Sequence, residues 1–512
     1  MSRRLLTSII SALGLLATPG VARADYPLQI DAEVIAGASS GTFAPYYVAS
    51  NNHGRITQSN TFLVDAGVHA TDSIRNSRWK YSWGAEGIMS LTNKTDYARY
   101  VEADKEWITN PQRPPVVWLQ QLYGRLDYRS LFLQAGLVNS HSALLDDELS
   151  SGDLIESPNA RAIPQVRAGF NGFQPIPFTN GWVEIQGEIS YGKMSDNGWI
   201  KNHANHYNAH TCLGPLYTYK RCYFRSKSTM PFSVTVGMQV AGFFGGTTTT
   251  YRDGRVTKVE KNPAGIKEFF KMFFPTEGDE SYYLGSLLGS WDIHLRYNLP
   301  WGDTVKGYLQ KPWETGSGIG FLNGFDGLWG IEYKFKQKGI VDGAVVEYLD
   351  FTNQSGPIHF DPDDIPGCTI PVHTDGGDDY YNNYHYNAYA NYGMSLGTPF
   401  LPSPIYNLDG YLQFADNAVR GFHVGITGTI SNNVSYRLLG GYRKSWGTVR
   451  IPRAVSRHDT SWMAEVIYRP FPRNDYMRFK GSVAMDHGTL YGNSFGCFVS
   501  MVCNLDVNKL RR

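Results

Sequence analysis

The sequence predicts an all-β protein, a transmembrane antiparallel β-barrel of about 16–18 strands with short helical plug elements and long loops. Three observations predict it. Alternation at period two recurs along the chain, the alternating runs are about 9–11 residues long, and beyond the first residues no apolar run reaches the ~18 that a membrane helix requires.

Taken in order, the chain opens on Arg3 and Arg4, continues through an apolar run from Leu5 to Ala17, and reaches small residues at Val21-Ala22-Arg23-Ala24. This is the arrangement of a secretory signal peptide, residues 1–24. Its removal takes away Arg3, Arg4 and Arg23 and no acidic residue, changing the formal net charge from +1 to −2. No basic excess points to nucleic acid. No Pro/Ser-rich linker or charge block divides residues 25–512, which read as one outer-membrane barrel domain. Aromatic residues make up 14% of the chain and glycines number 54, against a mean hydropathy of −0.33. That mixture suits strands that are apolar on one side only.

The alternation is plainest at Trp291–Leu299, where Trp291, Ile293, Leu295 and Tyr297 interleave with Asp292, His294, Arg296 and Asn298. It recurs at 329–335 and 477–485, and through 62–70, 79–89, 116–128, 182–192, 232–240, 304–310, 422–430, 434–443 and 461–469. Fainter runs occupy 43–48, 131–138, 163–170, 341–351 and 497–503. Many end on Trp or Tyr, as interfacial girdles do. Backbone groups in lipid need partners, so such strands must close on themselves with their charged residues lining the lumen.

Three insertions interrupt the rhythm, near 140–164, 195–228 and 353–418. The first contains a helix-like piece at Ala143–Leu149. Pro263–Phe274 reads as an amphipathic helix plugging the lumen or lying at its rim, with Ile266, Phe269, Phe270 and Phe273 on one face. The third insertion carries Tyr380, Tyr381, Asn382, Asn383, Tyr384 and Tyr386; aromatic faces stack on sugar rings and amides bond hydroxyls, so this composition suits carbohydrate. A packed loop covering the barrel mouth has the same composition. Cys212 and Cys222 flank a Tyr-rich stretch and offer a loop-closing disulfide, free thiols being the alternative.

No catalytic or metal motif is complete. Gly492-Asn493-Ser494-Phe495-Gly496 matches a nucleophile elbow, but the last histidine, His487, precedes the serine. His203, His206 and His210 lie near Cys212 without an accompanying H-E-x-x-H. Asp361, Asp363 and Asp364, or Asp375, Asp378 and Asp379, lack calcium-loop spacing. The expectation is a non-enzyme without metal or cofactor.

Ser151-Gly152 through Asn159-Ala160-Arg161-Ala162-Ile163-Pro164, Tyr219-Lys220-Arg221-Cys222-Tyr223-Phe224-Arg225, and Tyr380-Tyr381-Asn382-Asn383 followed by Gly397-Thr398-Pro399-Phe400 resemble the capsule assembly Wzi family. Gly289-Ser290-Trp291-Asp292, Glu314–Gly318 and Asp326–Gly330 fall in the same order, which resembles the form in Bacteroidetes-like bacteria. Ala162 and Thr398 depart from the family's proline and asparagine. Spanning roughly residues 40–500, the resemblance implies an occluded, monomeric outer-membrane barrel in contact with outer-membrane lipid. It implies binding of capsular or surface polysaccharide and help with capsule assembly and attachment, lectin-like and without turnover. The binding candidates are Tyr380, Tyr381, Asn382, Asn383, Tyr384, Tyr386, Tyr219, Arg221, Tyr223 and Arg225, with Asn159, Arg161 and Pro164 as a structural motif. The alternative is an outer-membrane porin for small or sugar solutes.

Overall fold

The computed structural model describes residues 28–74, 77–273, 286–357, 359–361 and 373–507, so the expected leader lies outside the described residues. Eighteen antiparallel strands close into a barrel. The first six are β1 (Leu28–Phe43), β2 (Gln58–Ser73), β3 (Trp79–Thr92), β4 (Val117–Tyr128), β5 (Leu131–Leu137) and β6 (Gln165–Phe170, resuming at Gln174–Pro175). They are followed by β7 (Val183–Lys193), β8 (Leu216–Ser226), β9 (Phe232–Phe244), β10 (Ser286–Asn298), β11 (Thr304–Trp313) and β12 (Gly327–Lys334). The last six are β13 (Gly343–Asp350), β14 (Val419–Ser431), β15 (Val434–Gly447), β16 (Pro452–Tyr468), β17 (Met477–Gly488) and β18 (Ser494–Asp506). Each strand pairs with its neighbour in sequence, and β18 returns to β1 in a register running from Gln29 opposite Asp506 to Ser39 opposite Gly496. That seam leaves the barrel no edge.

Side-chain direction follows the alternation. On β10, Asp292 and His294 are buried inside while Leu295 and Tyr297 are exposed on the outer wall. Trp79, Trp182, Tyr297, Trp301, Phe335, Tyr468 and Phe471 form an exposed aromatic rim at one end, and Trp329, Phe422 and Phe495 lie toward the other. No described helix is long and apolar enough to cross a membrane.

The two ends of the barrel differ. Connections 74–78, 129–130, 227–231, 299–303 and 432–433 are short and share one end, whereas 44–57, 93–116, 138–164, 194–215, 245–285 and 351–418 share the other. Several of the long connections fold inward. Helix α1 (Tyr46–Ala49) sits inside the barrel, packed on Ile35, Leu63, Ile88, Met463 and Phe498. Arg443 of β15, 1% exposed, places its guanidinium 3.4 Å from the centre of the Tyr46 ring and 4.6 Å from that of Tyr491, and donates to Ser461 Oγ at 2.7 Å.

Several expectations are corrected. Residues 43–48 hold the end of β1 and the start of α1 because Pro45 sets up a helical turn. Ala143–Leu149 forms turns, since Asp146 Oδ1 accepts from the backbone N–H groups of Glu148 and Leu149 instead of letting a helix propagate. The second insertion includes a barrel strand, β8, so the connection itself covers 194–215 and carries α2 (Asn197–His203). The helix foreseen at Pro263–Phe274 forms as α3 (Ile266–Phe273); of the two places expected for it, it does not plug the lumen and packs on the outer wall near the rim. Cys212 and Cys222 are both free, one buried and the other exposed.

Val236 faces outward midway along β9, between Phe224 and Ile293 on adjacent strands. Val236→Arg is expected to lower the unfolding free energy in phospholipid vesicles by ~2–4 kcal/mol in a urea titration. A change near zero would place this wall outside the apolar band.

Candidate functional site

The barrel interior is organised around the connection 138–164. Gly152, at φ +108°, turns the chain where a Cβ would meet Pro399 Cδ at 2.8 Å, and Asp153 then bends it by accepting from the Ile155 N–H at 2.9 Å. The Asp153 carboxylate is fully buried. Gln239 of β9 donates to its Oδ1 at 2.9 Å and Gln310 of β11 donates to its Oδ2 at 2.9 Å. Gln239 is shared, since its amide also donates to Asp292 Oδ2 at 2.9 Å while its carbonyl accepts from Tyr219 at 2.8 Å. Tyr223 closes the set by donating to Asp292 at 2.5 Å. Burial raises the Asp153 carboxyl above the usual carboxylate range, against the lowering effect of its donors.

Further anchors tie the loop to other strands. Ser151 N–H donates to Glu347 of β13 at 2.7 Å, and Leu149 O accepts from His423 Nε2 of β14 at 2.7 Å. Because a carbonyl only accepts, His423 carries its proton on Nε2 and takes the Tyr47 hydroxyl on Nδ1 at 2.8 Å. Lower down, Lys306 Nζ reaches Leu144 O and Lys334 pairs with Asp146 at 2.7 Å. The motif residues do structural work here. Asn159 donates to Ser395 O and accepts from Asn51 N–H, Pro164 O accepts from Lys193 N–H, and Arg161 lies between the Trp118 and Tyr392 rings at 4.0 and 4.8 Å. Burial brings the Arg161 guanidinium down to about 10.

The Tyr-rich insertion packs onto this loop. Tyr380, Tyr381 and Tyr386 are at most 4% exposed. Tyr380 donates to Asp326 at 3.0 Å, Tyr381 donates to Leu154 O, and Tyr389 donates to Ile155 O at 2.8 Å. Asn382 exchanges hydrogen bonds with the backbone of Phe414, and Asn383 caps the His385 and Tyr386 N–H groups at 2.9 Å. Tyr219 and Tyr223 are buried in the network above, while Arg221 and Arg225 pair with Glu188 and Glu184 on the lumenal wall. The sequence candidates are thus brought together as the packing of the barrel's contents. Tyr384, 47% exposed, is the ring of that stretch that reaches the surface.

The metal and catalytic readings do not assemble. Among the described residues no group of three or more His, Cys, Asp or Glu could hold a metal ion. His203 Nδ1, His206 Nε2 and His210 Nε2 each donate to a different backbone carbonyl, those of Trp199, Lys201 and Tyr386. Ser494 begins a strand and bonds Asp486 at 3.1 Å, with no helix following it.

At the long-loop end the structure shows a feature the sequence reading did not single out. The hairpin Thr95–Val101/Glu106–Gln112 meets the loop after α2 and the turn at Gly254. There Tyr100, Trp107 and Tyr207 gather with ring centres 4.8–5.5 Å apart, Trp107 being 50% exposed. Gly254 is required, because a Cβ would strike the Tyr100 ring at 2.3 Å. Arg255 and Glu102 pair beside the rings at 3.0 Å. The three aromatics come from two separate loops, and the pair Tyr100 and Trp107 in the unread connection 93–116 was the available signal.

No protein-family model matches the chain, and no curated protein does. Among solved structures it is similar to Wzi of Escherichia coli, described as an outer-membrane protein involved in group 1 capsule assembly and a carbohydrate-binding β-barrel. The TM-score is 0.54 at 11% identity, covering 98% of this chain and 87% of that one. OccAB2 of Acinetobacter baumannii (TM-score 0.47, 5% identity, 94% of this chain and 98% of that one) and OmpF of Salmonella typhi (0.38, 9%, 94% and 98%) also match. At these identities the likeness to Wzi shows the fold, an outer-membrane-type β-barrel.

Burial raises the carboxyl of Asp196, which immediately precedes α2, from 3.8 to about 7, while its Oδ2 accepts from Tyr392 N–H. A carboxyl raised on folding stabilises while protonated, so its contribution is complete below pH 3.8 and is lost as pH rises through about 7. Protection factors across 196–204 and 389–396, the intrinsic exchange rate at each pH divided by the observed one, are expected to be higher at pH 5 than at pH 8, and Asp196→Asn is expected to flatten the difference. Equal protection factors at the two pH values in the native chain would contradict this.

Proposed function

We propose that the protein binds surface polysaccharide at its long-loop end and assists capsule assembly and attachment without chemical turnover. The observation that carries the reading is the Tyr100–Trp107–Tyr207 cluster, in which Trp107 is exposed and both tyrosines are half-buried, above a lumen occupied by packed, wall-bonded loops. Flat aromatic faces accept the C–H face of a pyranose, and the neighbouring Arg255, Glu102 and half-exposed Asn205 supply polar partners for hydroxyls. Tyr384, with Asn382 and Asn383 behind it, is a further point of contact. The long loops face the cell exterior, as is general for barrels whose other end has short turns. The likeness to a carbohydrate-binding barrel supports the reading at the level of architecture.

The alternative, a porin for small or sugar solutes, would require the connection 138–164 to leave the lumen. Its anchors on Gln239, Gln310, Glu347 and His423 favour retention. Planar-bilayer recording separates the two readings: the polysaccharide binder should show no steady open-channel current, and a large ohmic conductance would favour the porin.

Purified protein on a glycan array is expected to retain acidic or neutral surface polysaccharide. Trp107→Ala and Tyr207→Ala should each weaken it about tenfold, or ~1.4 kcal/mol. Binding that survives both substitutions would remove this cluster from the site.

A further inference from the structure

Helix α3 lies outside the barrel, and its surroundings indicate what covers it. Odd-numbered residues of β9 such as Gln239, Ala241 and Phe243 point into the core, so Gly242 faces outward. At that glycine a Cβ would meet Met272 Cε at 3.0 Å, so the helix rests where the outer wall lacks a side chain. Phe269 stacks on Tyr191 of β7 with ring centres 3.9 Å apart, and the Tyr191 hydroxyl donates to Phe269 O at 2.9 Å. Lys220, on the outward side of β8, donates to Met272 O at 2.7 Å and Phe273 O at 2.5 Å, satisfying carbonyls that the helix end leaves unpaired. At the other end Gly265 N–H donates to Glu268 at 2.9 Å.

Helical spacing puts Met272, Phe269, Phe273, Ile266 and Phe270 on one arc, with Lys267 and Lys271 opposite. The barrel wall covers the Met272 side of that arc. Ile266 and Phe270 remain 79% and 61% exposed, and Val236 and Phe224 are exposed on the same outer wall farther from the long-loop end. Gly242 and Tyr191 each stand two residues from the long-loop end of their strands. The helix therefore lies flat against the lipid-facing wall near one rim.

We propose that α3 is an interfacial anchor in the outer leaflet, with Ile266 and Phe270 among the acyl chains and Lys267 and Lys271 at the level of phosphate-bearing headgroups. The partner is the lipid surface itself. An amphipathic helix binds such a surface by apolar burial together with attraction of its lysines to anionic headgroups. This inference stands on the barrel fold and is independent of the polysaccharide reading.

The test uses the full chain in phosphatidylcholine vesicles containing phosphatidylglycerol. Cys212, Cys222, Cys368, Cys497 and Cys503 are replaced by Ala, and a nitroxide is placed in turn at Phe270→Cys, Lys267→Cys and, as an exposed reference on the strand Arg255–Lys261 of the same connection, Val256→Cys. The label at 270 is expected to favour collision with oxygen over a polar nickel chelate, and those at 267 and 256 the reverse. A label at 270 that collides with the chelate as freely as the one at 256 would overturn the proposal. In the chain with its own cysteines, a lipid bearing a diazirine on its acyl chain should label the peptide holding 266–273, and Ile266→Asn with Phe270→Asn should cut that labelling at least about fivefold. Labelling confined to the barrel strands would likewise overturn it.

Discussion

A backbone amide in hydrocarbon finds no water, and the rest of this structure follows from how eighteen strands meet that condition. Each strand bonds its two neighbours, and β18 bonds β1, so the ladder has no end. Closure fixes an inside and an outside, and alternation then delivers every second side chain to one or the other. The inner wall receives Asp292, Gln239, Gln310, Glu347 and Arg443, groups that require partners once the loops exclude water. The loops supply them. Asp153 answers two glutamines, Ser151 answers Glu347, and the Tyr46 and Tyr491 rings face Arg443.

Where the outer wall is apolar and the inner wall polar, the strands were legible in the sequence, as at Trp291–Leu299. The two overlooked strands break that contrast for identifiable reasons. On β1 the outward face carries Leu28, Ile30 and Val34 only in its first half and small residues, Ala36 and Ala38, in its second, while Ile35 turns inward to pack with the core around α1. On β8 the pattern is inverted: Tyr217, Tyr219 and Tyr223 point inward because they meet the loops in the lumen, and Lys220 points outward because it caps α3. Both departures depend on contacts with segments distant in sequence, which alternation does not report.

The same limit explains the binding candidates. A tyrosine that stacks on a sugar and one that packs in a core with its hydroxyl bonded have the same local sequence. Tyr380 and Tyr381 belong to the second kind because Asp326 and Leu154 O take their hydroxyls inside the barrel. The cluster at the long-loop end draws on Tyr100, Trp107 and Tyr207, separated along the chain and joined only when the hairpin meets the loop after α2. Composition located the fold and the density of aromatics; burial separated their roles.

The connection 138–164 is synthesised after β5, yet its anchors on β9, β11, β13 and β14 follow it in the chain. A barrel of the first six strands would contain this loop but none of those partners. The loop's final position therefore requires strands from both halves of the wall to be in place. The closed wall and its contents hold each other: removing the loop would strand buried glutamine and glutamate side chains on the inner face, and opening the wall would strand the loop's own carboxylate.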